Sequence, residues 1–123
     1  MTATTPEQLH ELWTNAFARR DVDALIELYE AGGGLVSARR ARLRAALGEI
    51  LALEPRLQVS VERMVRTQEL VVRFSNWRLV GIDSEGKPVR MQGSTRDVLR
   101  RQADGGWLMV PAQPFVGSVC RAR

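Results

Sequence analysis

The hydrophobic periodicity of the chain changes once, at Arg56, and this change constrains the fold more than any other feature. Before Arg56 apolar residues recur every three or four positions, whereas after it they alternate with polar residues. The first spacing is typical of amphipathic helices and the second of strands with one buried face. Helices followed by a run of strands predict an α+β fold, in which the helices cover one face of a curved antiparallel sheet.

Three helices are expected in the N-terminal part. Thr5 followed by Pro6, with Gln8 three positions after Thr5, forms a capping-box pattern at the start of the first helix. Asp21 is a candidate N-cap of the second helix and Ser37 of the third. The residues expected on buried helix faces are Leu9, Leu12, Trp13, Ala16, Phe17, Leu25, Ile26, Leu28, Tyr29, Leu43, Leu47, Ile50 and Leu51.

The remainder of the chain indicates an antiparallel meander. The segments DSEGK, residues 83–87, and ADGG, residues 103–106, have the composition of hairpin turns. Pro111 and Pro114 follow the last apolar run and indicate a strand end or a sheet edge. A chain of 123 residues can bury a core without disulfides or metal, so we expect a single domain over residues 1–123.

The first of these turns fixes a strand register. A type I turn with Gly86 in the left-handed bulge position pairs Asp83 with Lys87, and the pairing continues outward from there. A two-residue turn would instead slip the pairing by one residue. The expected pairs are Leu79 with Met91, Trp77 with Gly93, Ser75 with Thr95 and Arg73 with Asp97.

Composition argues against several classes of function. The chain has one cysteine, Cys120, and one histidine, His10, so no metal site or cofactor is expected. His10 is expected on the surface of its helix. The net charge of +4 comes mostly from arginines that are dispersed along the chain without a nucleic-acid-binding motif, so a solvated surface is favoured over nucleic-acid binding. Without a signal-peptide or membrane-spanning pattern, a cytoplasmic protein with no membrane partner is expected.

The order of these segments resembles the nuclear transport factor 2-like superfamily, which includes ketosteroid isomerase and the SnoaL-like polyketide cyclases. The resemblance lies in AFARRDVDALIELYE, in RARLRAAL and in the stretch from GIDSEGK to PAQPF. It implies a cone-shaped α+β fold in which a curved sheet wraps around the N-terminal helices and encloses a largely apolar pocket. A homodimer is also implied.

The resemblance to ketosteroid isomerase assigns only part of a catalytic set. Asp97 falls on the position of the protonated Asp that donates a hydrogen bond to the enolate, and Trp13 falls on the Tyr position. The segment between the second and third helices lacks the general-base Asp, and Glu30 lies too early to replace it. An acid expected before Pro-Phe in the last strand is Ala112 here. Steroid-isomerase activity is therefore disfavoured.

Two interpretations of Asp97 stay open. It is either the ionised partner of Arg73 across the strands or a neutral acid at the wall of a pocket. In the second case the protein acts on or binds a hydrophobic ligand that bears a carbonyl or a phenol. The alternative function is a noncatalytic dimeric binding or interaction module. The candidate pocket residues are Trp13, Phe17, Tyr29, Arg73, Trp77, Thr95, Asp97 and Ala112.

An apolar strip with arginines around it is expected on the opposite face of the hairpin, and this strip is a candidate homodimer interface. Its apolar members are Val72, Phe74, Val80 and Val98.

Overall fold

The computed structural model describes residues 2–30, 36–110 and 120–122, with side chains for residues 2–30 and 41–110. The helices are α1 (Pro6–Ala18), α2 (Val22–Glu27) and α3 (Val36–Leu51). The strands are β1 (Arg56–Arg66), β2 (Leu70–Ile82), β3 (Pro88–Arg101), β4 (Trp107–Met109) and β5 (Cys120–Ala122). The sheet is antiparallel in the order β1-β2-β3-β4, and β5 also pairs with β3.

Side-chain caps start the first two helices where the sequence predicts them. Thr5 Oγ1 accepts a hydrogen bond from the Gln8 amide at 3.0 Å, and Asp21 Oδ1 accepts one from the Ala24 amide at 3.1 Å. The capping box closes one residue earlier than predicted, because Gln8 Oε1 accepts from the Thr4 amide. The N-cap predicted at Ser37 is wrong, since α3 already includes Val36 and Ser37 lies in its first turn.

The predicted register of β2 and β3 is confirmed. Asp83 N donates to Lys87 O at 2.9 Å, and Gly86 has a φ of 79°, the left-handed conformation that the turn requires. The pairing that follows places Trp77 opposite Gly93 and Arg73 opposite Asp97. The turn before β4 is built the same way, with Gly105 at a φ of 86°. Turn chemistry thus sets which residues of the long hairpin face each other.

A β-bulge divides β1 into two parts. Val61 pairs with Ser75, whereas Arg63 pairs with Phe74, so one extra residue of β1 lies between these pairs. Leu57 and Val59 pack on the core before the bulge, and Met64 packs on it afterwards. The inward-facing positions therefore change from odd to even numbers within one strand.

The core lies between the helices and one face of the sheet, as the α+β pattern predicts. The chain on either side of α1 and α2 also meets β4, because Ala3 bridges Trp107 and Tyr29 bridges Met109. None of the described helices is long and apolar enough to cross a membrane. Pro111, Pro114 and Ala112 lie outside the described residues. The core side chains are those of Ala3, Leu9, Trp13, Ala16, Phe17, Leu25, Ile26, Leu28, Tyr29, Leu43, Leu47, Leu51, Val71, Trp77, Leu79, Leu99, Trp107 and Met109.

The close approach of β2 to the chain after α3 depends on Gly81. A Cβ atom at Gly81 would lie 2.6 Å from Leu53 O, which accepts a hydrogen bond from the Ile82 amide. We expect Gly81→Ala to lower the free energy of unfolding by about 1–3 kcal/mol, because backbone has to shift. Gly48→Ala is the matched control, since nothing lies within 4 Å of its added Cβ in α3, and it should raise stability by about 0.5–1 kcal/mol. Urea unfolding of both variants checks this, and equal effects would contradict it.

Candidate functional site

A small cavity lies between the helices and the inner face of the sheet. Its volume is about 40 Å³, and a water molecule requires roughly 10–15 Å³ measured in this way, so it holds only a few waters. Most of its wall is aromatic or aliphatic, with polar groups from α1, β2 and β3. It is lined by His10, Trp13, Tyr29, Leu57, Val59, Arg73, Trp77, Thr95, Asp97 and Met109.

The charged part of the cavity wall is the pair formed by Arg73 and Asp97. Alternation along β2 turns Arg73 inward, where its side chain is 5% exposed. Its Nη2 atom donates to Asp97 Oδ2 at 3.0 Å, and Thr95 Oγ1 donates to the same oxygen at 3.3 Å. A guanidinium can only donate, so this oxygen serves as an acceptor. The contacts therefore favour Asp97 as the ion-pair partner of Arg73 over the hydrogen-bond donor that the resemblance to ketosteroid isomerase implies.

His10 joins this pair from α1, which the sequence did not lead us to expect. Its Nδ1 atom lies 3.2 Å from Arg73 Nη1 and must be the acceptor, so the ring proton is on Nε2. Burial lowers the pKa of His10, and the Arg73 charge lowers it further, while Asp97 and Glu11 act weakly in the opposite direction. The imidazole is therefore neutral at neutral pH. The sequence does contain one indication of this position, because helical spacing puts His10 on the same face of α1 as Trp13, three residues later.

The second polar group in the cavity is a phenol next to an indole. Trp13 Nε1 donates to the hydroxyl of Tyr29 at 3.1 Å. Burial raises the pKa of Tyr29 to about 12, so the phenol keeps its proton at neutral pH. Backbone hydrogen bonds from Met109 N to Leu28 O and from Glu30 N to Met109 O hold the segment that carries Tyr29 against β4. The structure thus places a phenol beside Trp13, the residue to which the sequence resemblance assigned the Tyr position.

Not every predicted site residue lines the cavity. Phe17 stacks on Trp13 with ring centroids 5.1 Å apart, but it lines a neighbouring groove and not the cavity. Ala112 lies outside the described residues. Glu30 accepts from Gln102 Nε2 at 2.7 Å and lies 3.4 Å from Arg100, so its carboxylate is paired away from the cavity.

A larger groove adjoins the cavity between α1 and the start of β1. Its volume is about 480 Å³. His10, Leu57 and Val59 line both the groove and the cavity, so the two spaces meet at these side chains. The groove is also lined by Thr14, Phe17, Ala18, Arg20, Pro55 and Arg56.

Two buried polar atoms on β2 have unused hydrogen-bonding capacity among the described residues. Within the described part of the chain, neither Arg73 Nε nor Ser75 Oγ has a hydrogen-bond partner. A buried polar group without a partner costs roughly 1–3 kcal/mol, so such groups commonly meet water or a ligand. Among the described residues, no group of three His, Cys, Asp or Glu side chains is placed to hold a metal ion.

No family model and no curated protein matches the chain. Solved structures do match. A protein from Thiobacillus denitrificans, provisionally named a calcium/calmodulin-dependent protein kinase type II association domain, is 26% identical, with 92% of this chain and 99% of that chain covered and a TM-score of 0.65. A nuclear transport factor 2-like superfamily protein from Salmonella enterica is 13% identical. The match covers 89% of this chain and 91% of that chain, with a TM-score of 0.65. A protein from Streptomyces avermitilis, provisionally named a dehydratase of the same family, is 15% identical, with coverages of 86% and 93% and a TM-score of 0.62.

The chain has the nuclear transport factor 2-like fold. This confirms the resemblance noted in the sequence at the level of the fold. The fold hosts many unrelated activities, so function has to be argued from the side chains of the cavity. Those side chains are the Arg73 and Asp97 pair, His10 and the Tyr29 phenol.

Removing the buried cation tests the importance of the pair. Arg73→Met leaves the Asp97 carboxylate without its cation, which typically costs 3–5 kcal/mol for a fully buried pair. Because the Asp97 side chain is 22% exposed, we expect a loss of about 3 kcal/mol in the free energy of unfolding. Arg66→Met breaks an exposed pair with Glu7 and is the control, with an expected loss of about 0–1 kcal/mol. Urea unfolding measures both variants. If Arg73→Met and Arg66→Met lowered the free energy of unfolding by similar amounts, burial would not be what makes the Arg73 pair important.

The lowered pKa of His10 predicts a pH dependence of stability. As the pH falls below about 6.5, the unfolded chain takes up a proton at His10 before the folded chain does, so the free energy of unfolding decreases. The decrease continues through the folded-state pKa. His10→Gln lacks this contribution, so the stability difference between wild type and variant is expected to change between pH 7.5 and 5.5. A constant difference across that window would show that folding leaves the pKa of His10 unchanged.

Proposed function

We propose that this protein binds a small molecule with an apolar body and one oxygen-bearing end, a carbonyl or a phenol. The oxygen lies in the cavity and the body lies in the adjoining groove. The observation that carries this proposal is the presence of two unused donors in one cavity wall. Arg73 Nε has no acceptor among the described residues, and no described side chain accepts the Tyr29 phenol proton.

The donors favour an oxygen acceptor over an apolar end. A carbonyl or phenolic oxygen can accept from the Tyr29 hydroxyl and from the Arg73 guanidinium, and hydrogen bonds to a charged donor contribute roughly 1.5–3 kcal/mol. Since the cavity measures only about 40 Å³, it has room for the oxygen and its nearest atoms and no more. Trp13 and Trp77 supply aromatic walls next to the donors.

The groove supplies the space that the cavity lacks. Small-molecule pockets usually measure about 300–1,000 Å³, and the groove of about 480 Å³ falls in that range. Phe17, Pro55 and Leu57 give it apolar surface, while Arg20 and Arg56 lie at its polar side. A ligand that passes Val59 would occupy both spaces together.

Binding is favoured over proton-transfer catalysis because three candidate bases among the described residues, Asp97, Glu30 and His10, already hold partners. Asp97 is paired with Arg73, Glu30 with Arg100, and His10 Nδ1 accepts a hydrogen bond from Arg73. A cationic partner makes a base less ready to take a proton from a substrate, because it stabilises the unprotonated form. The proposal includes no cofactor, no nucleic acid and no membrane partner, and the cytoplasmic location stays a prediction.

The second candidate function is a noncatalytic, dimeric interaction module. It is supported by the likeness to the protein from Thiobacillus denitrificans, whose name describes an association domain and which is matched over almost its whole length. Sedimentation velocity tests the dimer directly. A stable dimer that binds none of the small-molecule probes below would favour this candidate.

Naphthol and acetonaphthone test the first proposal, with naphthalene as the control ligand that lacks oxygen. We expect both oxygen-bearing probes to bind about tenfold more tightly than naphthalene, because only they can accept hydrogen bonds. Tyr29→Phe is expected to remove most of this preference. Intrinsic tryptophan fluorescence or ligand-observed NMR gives the affinities.

A matched pair of variants on β1 locates the binding site. Val59→Trp fills the junction of cavity and groove and is expected to abolish binding. Val65→Trp adds the same ring at a position that is 49% exposed on the other side of the strand, and it should leave binding unchanged. Equal affinity of naphthol and naphthalene, or unchanged binding in Val59→Trp, would refute the proposal. Mass spectrometry of copurified material then identifies the natural ligand.

A further inference from the structure

The groove beside the cavity carries two arginines on the part of its wall that the cavity does not share. His10, Leu57 and Val59 line both spaces, whereas Arg20 and Arg56 line the groove alone. Arg20 follows α1, Arg56 is the first residue of β1, and both residues are exposed. The groove thus has one part next to the cavity and a second part with two cations.

These two cations have no acidic partner within the described ranges. Neither forms an ion pair with a described carboxylate, and no Asp or Glu is among the residues that line the groove. The cavity wall contains one acid, Asp97, which is already paired with Arg73. Since His10 is neutral, the two walls together hold three guanidinium groups and one carboxylate. A neutral ligand would leave this excess of positive charge in place, whereas an anion would compensate it.

Two carboxylates lie close to these arginines in the sequence, but neither lines the groove. Asp21 Oδ1 accepts a hydrogen bond from the Ala24 amide, so this carboxylate caps α2. Glu54 is an exposed residue of the connection between α3 and β1. The surface that a ligand in the groove would touch is therefore cationic.

The backbone of Arg20 has an unfavourable conformation. Its φ is 56°, in the left-handed region, at the position after a helix where glycine is the usual residue. The Arg20 amide donates to Phe17 O at 3.0 Å and the next amide donates to Ala16 O at 3.0 Å, so backbone groups cap the helix end. In the β2–β3 turn the chain meets the same requirement with Gly86. Strain of this kind is commonly retained where a side chain serves a ligand, which favours a binding role for Arg20.

The length of the groove sets the position of the cations relative to the cavity. On α1, His10 and Ala18 are separated by about 12 Å, at about 1.5 Å per residue. On β1, Val59 and Arg56 are separated by about 10 Å, at about 3.3 Å per residue. The arginines therefore lie roughly 10–12 Å from the residues at the cavity, which matches a bicyclic aromatic body with a short side chain.

We propose that Arg20 and Arg56 bind an oxyanion, a carboxylate or a phosphate, at the far end of the ligand whose oxygen occupies the cavity. Guanidinium groups recognise both anions because their N–H groups donate parallel hydrogen bonds to two oxygens. This inference rests on the proposed function and deepens it, since it makes the natural ligand an acid with a second oxygen-bearing group. The cavity selects the neutral end of the ligand, and the groove selects the anionic end.

Three substituted naphthols test this anion subsite by isothermal titration calorimetry. Each carries a three-carbon chain on the ring opposite the hydroxyl group, and the chain ends in a carboxylate, a phosphonate or an uncharged carboxamide. We expect at least one of the anions to bind about fivefold more tightly than the carboxamide, because each exposed ion pair contributes modestly. This gain should shrink as salt is added. The anion that binds more tightly identifies the class of the natural ligand.

Variants at the groove assign the gain to particular side chains. Arg20→Gln and Arg56→Gln are each expected to lower the ratio of anion affinity to carboxamide affinity about twofold, and the double variant should abolish the gain. Arg19→Gln removes the same charge at the neighbouring exposed residue, which does not line the groove, and should leave the ratio unchanged. Arg20→Gly separates binding from folding, because it should lower the ratio while it raises the midpoint of urea unfolding.

The inference is overturned if neither anion binds up to millimolar concentration, or if both bind no more tightly than the carboxamide. An equal fall of the ratio in Arg19→Gln and Arg20→Gln would also overturn it. The comparison of naphthol with naphthalene tests the proposed function separately. If naphthol keeps its preference but the anions gain nothing, the ligand is neutral and the groove is not an anion subsite. If the anions gain through Arg20 and Arg56 while naphthol shows no preference, the anion subsite stands and the proposed role of the cavity fails.

Discussion

A buried cation is the constraint around which this structure is organised. The Arg73 side chain lies inside the fold, and a charge in that position needs a partner of opposite sign. Asp97 supplies it across the β2–β3 pairing, and the registers on either side would bring a valine or an arginine in its place. The pair therefore penalises register slips in the long hairpin. The hydrogen bond from Arg73 to His10 extends the same constraint to α1, so the helix is also tied to the sheet at this point.

Much of the fold could be predicted from the sequence because local chemistry specified it. Thr5 and Asp21 cap helices through their own side chains, and Gly86 takes a conformation that other residues rarely adopt. The register followed from that turn, and the Trp77 and Gly93 pair supported it. The start of α3 was missed because serine at a helix start can lie at the cap or in the first turn, and a difference of one residue is common at helix ends.

The candidate site was less predictable because it depends on distances between segments far apart in the chain. The strand register alone predicts that Arg73 and Asp97 lie opposite each other. Nothing near His10 in the sequence, however, reveals that its side chain meets Arg73. The hydrogen bond from Trp13 to Tyr29 also depends on how the segment after α2 is held against β4, which involves backbone hydrogen bonds with Met109. The small size of the cavity follows from how its walls pack together, and composition carries no information about that. Phe17 shows the same limit. The sequence places it on the apolar face of α1, but does not reveal whether it lines the cavity or the neighbouring groove.

The bulge in β1 has a consequence for how this chain can vary in length. Because the extra residue lies between Val61 and Arg63, the part of β1 before it and the part after it are out of phase by one side chain. Deleting Glu62 would remove the bulge and leave Val61 and Arg63 as consecutive pairs opposite Ser75 and Phe74, so each remaining residue of β1 would keep its partner on β2. Leu57, Val59 and Met64 would then still face the core in simple alternation. A one-residue deletion at this point is therefore compatible with the inward pattern of the strand, and related chains that lack the bulge are expected to be one residue shorter here and to keep the same inward positions.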